Sequence, residues 1–463
     1  MVLSRDVEEV VVGGTWLLLS NIVISVSNFL FWLIVSRIVG VDVVGVASAT
    51  ISAATIALTL SSAGLSLAVV REVSAQGSRA FMASIIIAAI SCLVATTLVY
   101  PLTVLLGYQE LLWIAVLVAV TGIMNLVLQF SLIGFEEFKQ YFIVSLTGSV
   151  AKLTTGSLLA ILGYKTLAPL IGYLAYPLTA SIISLAYLLP VVKRNYYGLE
   201  KKAVEEVGKL ALSNYPYIFS NQLLTMLSIY VFTYIVQEPA ATGTLYITFM
   251  ITMALFTIPY SILTASLPIG TRRNTDPFRE SLRIGLALAT PIIVFVATAS
   301  TTILSIINPD LAQGTYTLKI LLLSITPQAV LATTIIKLNK EKKTKNILHI
   351  GLGRLLALIT ILSILSTVLG INGAALAYLA STILLLPITR DKEILKTMTI
   401  PWSLQIISAT ASLYTPINNL LLATIATILS IAILHKTKAL TIQEVLKAIK
   451  LFKRTASSKN KRL

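Results

Sequence analysis

The chain has 463 residues, 56% of them hydrophobic and 12% charged, with a formal net charge of +16. Soluble domains carry about 25% charged residues, so this composition excludes an ordinary globular protein and places the chain in a membrane. A single cysteine, Cys92, excludes an intrachain disulfide, and the isolated His349 and His435 offer no metal-ligand spacing.

A bilayer core of about 30 Å needs about 20 apolar residues per helix. In chain order, spans are expected at 10–36, 43–70, 80–100, 111–135, 141–163 and 166–190. A polar stretch follows at 191–209, then spans at 210–236, 243–270, 284–307, 316–337, 346–369 and 371–389. Two shorter segments, 400–414 and 417–435, complete the set. The expected fold is all-α, a polytopic membrane protein of about fourteen transmembrane helices. It divides into an N-terminal lobe at 1–190, a cytoplasmic linker at 191–209 and a C-terminal lobe at 210–397. Two added helices at 398–435 and a basic tail at 436–463 follow. The amino terminus carries Arg5, Asp6, Glu8 and Glu9 before a run too long for a cleavable signal peptide.

With the amino terminus in the cytoplasm, the inner loops hold "KRNYYGLEKK", "RRNTDPFRESLR", "KLNKEKKTK" and "RDKEILK", and the basic tail also falls inside. Only Arg37, Lys165 and Lys319 then lie outside, while Lys152 and Arg354 lie within the membrane. This is the positive-inside asymmetry; it predicts a cell-membrane protein with both termini cytoplasmic. The basicity therefore reflects topology and anionic membrane lipids as partners, not nucleic acid. In the tail, "TIQEVLKAIKLFKR" sets Ile442, Val445, Leu446, Ile449 and Phe452 on one helical face, which fits an interfacial helix. A solvated tail fits equally well.

The expected outer loops are short, and the first holds a lone Asp42, so no site is available to activate a lipid-linked donor. No GxxxxGK[ST] phosphate loop is present. Neither an enzyme nor a cofactor or metal is expected. All 19 Asp and Glu fall in loops, termini or span ends. Cation-coupled pumps usually need a carboxylate inside the membrane, so cation coupling is disfavoured.

Two sets of six spans flank the central polar stretch and enter the membrane the same way, as parallel repeats do. "VGVASATIS" from Val44 echoes "TGTLYITFM" from Thr242, each opening the second span of its set. The same offset carries Lys152 to Ile350, one helical turn before Arg354.

Four stretches carry a family resemblance: "SRIVGVDVVGVASATI" at Ser36, "SSAGLSLAVVREVS" at Ser61, "LSNYPYIFSNQLLTMLSIYVF" at Leu212 and "GINGAALAYLAS" at Gly370. In order and spacing the chain resembles the polysaccharide-transport branch of the multidrug/oligosaccharidyl-lipid/polysaccharide (MOP) exporter superfamily, including O-antigen and lipid-linked oligosaccharide flippases. That resemblance implies two six-helix lobes facing a central cavity, with alternating access. It also implies passage of a sugar on polyprenyl phosphate or diphosphate from the inner to the outer leaflet. In the peptidoglycan-precursor flippases, helices thirteen and fourteen line a groove for the lipid tail. The drug-exporting branch has twelve spans and relies on buried acids, which this chain lacks.

Lys152 lies about eleven residues, ~16 Å, from either end of its span, beyond the reach of a snorkelling lysine. Arg354 lies ~13 Å from the cytoplasmic end of its own span. Lys152 is either a cationic contact for substrate phosphate or a neutral or carbonyl-bonded lysine serving packing. Arg354 either snorkels in part or contacts phosphate, since an arginine fork can bond two phosphate oxygens. Asn21 and Asn28 share a face of the first span, and Asn221 with Gln222 occupies the matching seventh. They suit sugar hydroxyls, or bonds between helices. Arg37, Arg71, Arg272 and Arg273 either guide the headgroup or anchor helix ends to lipid phosphates. Pro177, Pro216, Pro259, Pro327 and Gly156 mark places for bending. The expected activity is lipid-linked oligosaccharide flipping in surface polysaccharide or glycan assembly, beside glycosyltransferases or a polymerase of the same pathway. The alternatives are a cation-coupled exporter of small amphipathic compounds and a non-transporting scaffold for glycan-assembly enzymes.

Overall fold

The computed structural model describes residues 5–62, 64–194, 200–273, 276–341, 343–389, 391–414, 419–437 and 439. Within them, the side chains of 5–15, 18, 193–194, 213–214, 216–222, 265–273, 344, 414 and 419 lie outside the description. Sixteen α-helices form, and no strand, among the described residues. They are α1 (Arg5–Val39), α2 (Val41–Ser62), α3 (Leu65–Gln76), α4 (Ser78–Leu105), α5 (Leu112–Gly134), α6 (Phe138–Ile161), α7 (Leu167–Arg194) and α8 (Lys201–Val236). There follow α9 (Pro239–Arg273), α10 (Phe278–Thr298), α11 (Ser300–Ile307), α12 (Thr315–Leu323), α13 (Ile325–Lys340), α14 (Thr344–Ile383), α15 (Lys392–Tyr414) and α16 (Asn419–Lys436). Helix is what a lipid environment demands, because each backbone N–H and C=O must be satisfied within its own segment.

Ten described segments are long and apolar enough to cross a membrane, and Leu223–Val236 and Leu420–Lys436 add two shorter apolar helices. One of the ten, Lys345–Ile388, has 44 residues, about twice what a single crossing needs. It holds two of the expected spans. Gly370 adopts φ 56°, ψ −132° inside it. Arg354 and Thr382, 28 residues apart, hydrogen-bond across it; a straight helix would hold them ~40 Å apart. The helix therefore folds back as a hairpin, and the observed spans agree with the expected set of about fourteen.

Several expected spans are broken rather than continuous. The span expected at 43–70 divides into α2 and α3 at Gly64, which takes φ +85°. A side chain there would strike the Ala211 carbonyl oxygen at 2.1 Å, because α8 crosses directly over the break. The Tyr215 hydroxyl donates to the Leu60 carbonyl at 3.0 Å, pairing a group near the end of α2. The span expected at 316–337 divides into α12 and α13 at Ser324. Trp402 Nε1 donates to the Leu323 carbonyl at 3.0 Å there, and Pro327 sits in the first turn of α13, where a missing N–H costs little. The polar stretch 191–209 is largely helical: α7 and α8 run into it from either side. The tail residues Ile442, Val445, Leu446, Ile449 and Phe452 lie outside the described residues.

The helices group into two compact units, Met1–Ile247 with Leu355–Ala374, and Thr248–Arg354 with Ala375–Leu463. In the first, α6 packs against α1 and α7, α5 against α7, and α2 and α3 against α8. Its core is rich in alanine, including Ala54, Ala57, Ala68, Ala80 and Ala83. Lipid supplies no hydrophobic drive between helices, so close approach of small residues carries their packing. Gly156 on α6 and Gly172 on α7 provide the closest such approach for the site described below. A Cβ on Gly172 would meet Gly156 Cα at 2.7 Å and the Phe31 ring at 2.7 Å.

In the second unit, α10 contacts α13, α15 and α16. The buried Gln405 of α15 donates to Thr290 Oγ1 at 3.3 Å and accepts from Thr326 Oγ1 at 2.9 Å. Such bonds fix α15 to its neighbours. At one end of this unit Lys337 pairs with Asp391 at 2.9 Å and Asp276 at 3.3 Å, and Arg279 pairs with Glu393 at 3.1 Å. Asp391 also caps α15 by accepting from the N–H groups of Glu393 and Ile394. The Lys337 hydrogen bond, helped by those N–H groups, holds the Asp391 carboxyl below the usual carboxylate range.

Two outcomes follow in detergent thermal unfolding. Gly172→Ala is expected to cost ~1–3 kcal/mol through overpacking. Gly208→Ala, whose Cβ would meet nothing nearer than Ile87 Cδ1 at 4.0 Å, is expected to be neutral or to stabilise by up to ~1 kcal/mol. A carboxyl with a lowered folded pKa contributes stability above its unfolded pKa and loses it as pH falls through the folded value. Asp391→Asn should therefore lower stability at neutral pH by ~0–1 kcal/mol, since the pair is partly exposed. The difference from the wild type should vanish in acid; a difference independent of pH would contradict this role.

Candidate cationic site

Among the described residues the buried charged side chains are three cations, Lys152, Lys319 and Arg354, and no buried Asp or Glu accompanies them. Ionised groups away from water are normally paired with an opposite charge. Here the partners are neutral oxygens and aromatic faces.

In the first unit α6 presents Lys152, 3% exposed, toward α1 and α7. Its Nζ donates to Asn28 Oδ1 at 2.6 Å. The same nitrogen stands 4.6 Å from the Phe31 ring centre and 4.7 Å from that of Tyr173. Tyr173 is in turn hydrogen-bonded to Thr55. The Gly156–Gly172 contact leaves the space that the Phe31 ring fills, so the local packing sets the aromatic wall. One charge-assisted hydrogen bond contributes ~1.5–3 kcal/mol, and desolvated cation–π contacts ~2 kcal/mol. Together these are large enough to offset the ~2.5–3.5 kcal/mol that insertion scales assign to a central lysine.

In the second unit Arg354, 6% exposed, donates through Nη2 to Thr382 Oγ1 at 2.8 Å. Its guanidinium carbon lies 5.2 Å from the centre of the Tyr378 ring. The Tyr378 hydroxyl donates to Gln328 Oε1 at 3.3 Å, and Phe249 packs edge-on against the same ring at 5.0 Å. The Arg354 Nε–H is buried without a hydrogen-bond partner. Buried donors are seldom left unpaired, so this one calls for an acceptor.

The two arrangements share a plan. Each cation rests on a tyrosine from the next span, and each tyrosine hydroxyl is bonded to a polar side chain of another helix. The same number of residues separates Lys152 from Arg354 as separates Tyr176 from Tyr378. Tyr176 also pairs with a glutamine: Gln129 Nε2 donates to its hydroxyl at 3.3 Å. The glutamine–tyrosine spacing is 47 residues in one unit and 50 in the other.

Of the other residues singled out in the sequence, Asn28 joins Lys152, whereas Asn21 is exposed. Arg37 is exposed in the last turn of α1. Arg71, 72% exposed, lies 4.0 Å from Glu72. Asn221, Gln222, Arg272, Arg273 and Pro216 are helical, but their side chains lie outside the described residues. Pro177, Pro259 and Pro327 are buried within helices. Lys319, expected on the outer side, is 6% exposed and donates to Ser412 Oγ at 2.7 Å. Phe31, Tyr173, Tyr378, Gln328 and Thr382 were not singled out, although glutamines within apolar spans carry the same signal as asparagines.

The described residues thus form a multi-pass helical membrane bundle that buries three cations. A sequence model of the polysaccharide biosynthesis protein family matches residues 10–274, more than half of the chain, which therefore belongs to that family. No curated protein matches it in sequence. Solved structures share the fold. The lipid II flippase MurJ in an inward closed conformation superposes with TM-score 0.70 at 15% identity, covering 92% of this chain and 99% of that one. An inward-facing multidrug resistance MATE family transporter of the MOP superfamily gives 0.60 at 14% identity, covering 85% and 96%. A MOP superfamily transporter from Pyrococcus furiosus gives 0.54 at 13%, covering 88% and 96%. The chain thus has the MOP fold, as its sequence motifs led one to expect.

The Lys152–Asn28 contact can be tested by a double-mutant cycle on thermal unfolding. Asn28→Ala alone should cost ~1–3 kcal/mol, because it leaves a buried cation short of an acceptor. Lys152→Met combined with Asn28→Ala should cost clearly less than the sum of the two single changes. Additive costs would contradict the contact.

Proposed function

We propose that this protein is a flippase that carries a lipid-linked oligosaccharide, on polyprenyl phosphate or diphosphate, from the inner to the outer leaflet. Family membership and the MOP fold support a membrane transporter of polysaccharide biosynthesis. The observation that carries the finer reading is a pair of buried cations without carboxylates, one with an unpaired N–H. A phosphate offers what both lack. It supplies negative charge, and its oxygens can accept from the free N–H groups of Lys152 and from Arg354 Nε and its neighbouring nitrogens. Neutral partners such as Asn28 and Thr382 yield to an anion more readily than carboxylates would.

In this mechanism the phosphate exchanges water for hydrogen bonds to a buried cation while the prenyl tail stays in lipid, and a conformational change exposes it on the other side. The main barrier to flipping is dehydration of the charged headgroup, and preorganised cations offset it. Loop charge supports cytoplasmic termini and a cell-membrane location. No catalytic step is required. Anionic lipids, and glycosyltransferases or a polymerase of the same pathway, are the partners this reading implies. The MATE-like alternative shares the fold, but no buried carboxylate is present among the described residues to bind a coupling cation.

Purified protein in liposomes with a labelled lipid-linked glycan tests the proposal. Lys152→Ala with Arg354→Ala should lower transport at least ~tenfold, the equivalent of ~1.4 kcal/mol in the barrier. Lys152→Arg should retain more activity than Lys152→Ala. Undiminished transport in the double variant would remove the mechanism, and absence of transport in the wild type would favour the scaffold reading.

A further inference from the structure

The sequence echo between Val44 and Thr242 has a physical counterpart. Within the first unit, α2 and the opening turns of α9 meet backbone to backbone. A Cβ on Gly45 would lie 1.7 Å from the Pro239 carbonyl oxygen, and a Cβ on Gly243 would lie 2.1 Å from the Val41 carbonyl oxygen. Val41 precedes Gly45 by one helical turn, and Pro239 precedes Gly243 by one helical turn. Each glycine therefore faces the carbonyl one turn before the other glycine. Such reciprocity defines a local dyad, as in an isologous interface. A Cβ on Gly243 would also stand 3.0 Å from Gly45 N, which puts the dyad between the two glycines. Just before each helix, the chain turns through a left-handed residue, Gly40 at φ +92° and Gln237 at φ 52°.

We propose that Gly45 and Gly243 form a symmetric latch at the outer ends of α2 and α9, which the protein must break to open outward. The inference rests on the membrane orientation proposed above but needs no particular substrate. Contact is made by glycine backbone against carbonyl oxygen, a weak interaction when taken singly. It excludes water while closed: Val41 is 3% exposed, and Val44, Thr242 and Thr244 are fully buried. Yet among the described residues it holds no ion pair that would resist separation. Because both glycines stand at the starts of their helices, directly after the two turns, small rotations there would part them.

The test uses thiol labelling in intact cells with a membrane-impermeant maleimide, in a Cys92→Ser background. Val41→Cys reports the latch, and Asp42→Cys, on an exposed neighbour, reports the open surface. With both glycines intact, Val41→Cys should label several-fold more slowly than Asp42→Cys; equal rates would overturn the latch. Gly45→Ala and Gly243→Ala should each speed Val41→Cys labelling, and by similar factors because the contact is symmetric. Unchanged protection in both variants would overturn it as well. If the alanine variants do not accumulate, the comparison with intact glycines still decides. Asp42→Cys labelling only after permeabilisation would overturn the outer placement. None of these outcomes depends on which glycan is carried, so failure here is distinct from failure of the flippase reading.

Discussion

A positive charge held away from water without a carboxylate is the constraint around which this structure is arranged. A carboxylate partner would neutralise Lys152 or Arg354 cheaply and also occupy the hydrogen-bonding capacity that an anionic ligand needs. Instead, each charge rests on an aromatic face and gives a hydrogen bond to a neutral oxygen. Ring quadrupoles stabilise a cation without accepting its protons in full. The result is a charge that tolerates dehydration and still has donors to offer.

That arrangement depends on packing some distance from the charges. Phe31 is in place because two glycines, Gly156 and Gly172, bring α6 and α7 together and leave room for its ring. Arg354 reaches Thr382 because Gly370 reverses the chain between them. The second half echoes the plan: a cation and a glutamine-bonded tyrosine of the following span recur with almost the same spacing, although in the first half the ring beside the cation is Tyr173 and the glutamine-bonded one is Tyr176. The Gly45–Gly243 contact shows the repeat as geometry, since equivalent residues meet about a local dyad.

Much of this was legible in the sequence. Apolar run length fixed the helical class, because lipid leaves the backbone few other options. The two central cations stood out because a charge in such a run is costly. Chain breaks at Gly64 and Ser324 were not visible in hydropathy, which averages over windows longer than a single break. Their local signs, a glycine in "SSAGLS" and Pro327 just beyond Ser324, were present in the sequence. The burial of Lys319 was not visible for a related reason: loop charge speaks to the side of the membrane, whereas only tertiary packing on Ser412 shows that the side chain is covered. The aromatic partners were hidden because tyrosine and phenylalanine are common in apolar spans, and only three-dimensional contact distinguishes a ring under a cation from a ring in the core.

The most direct measurement is equilibrium binding of two lipids that differ by one group, a polyprenyl phosphate and the corresponding polyprenol, to purified protein. If buried cations serve as phosphate contacts, the wild type will bind the phosphorylated lipid at least ~tenfold more tightly, about 1.4 kcal/mol. Lys152→Gln with Arg354→Gln will then bind the two alike. Equal affinity of the wild type for both lipids, or an undiminished preference in the neutralised variant, would contradict the account.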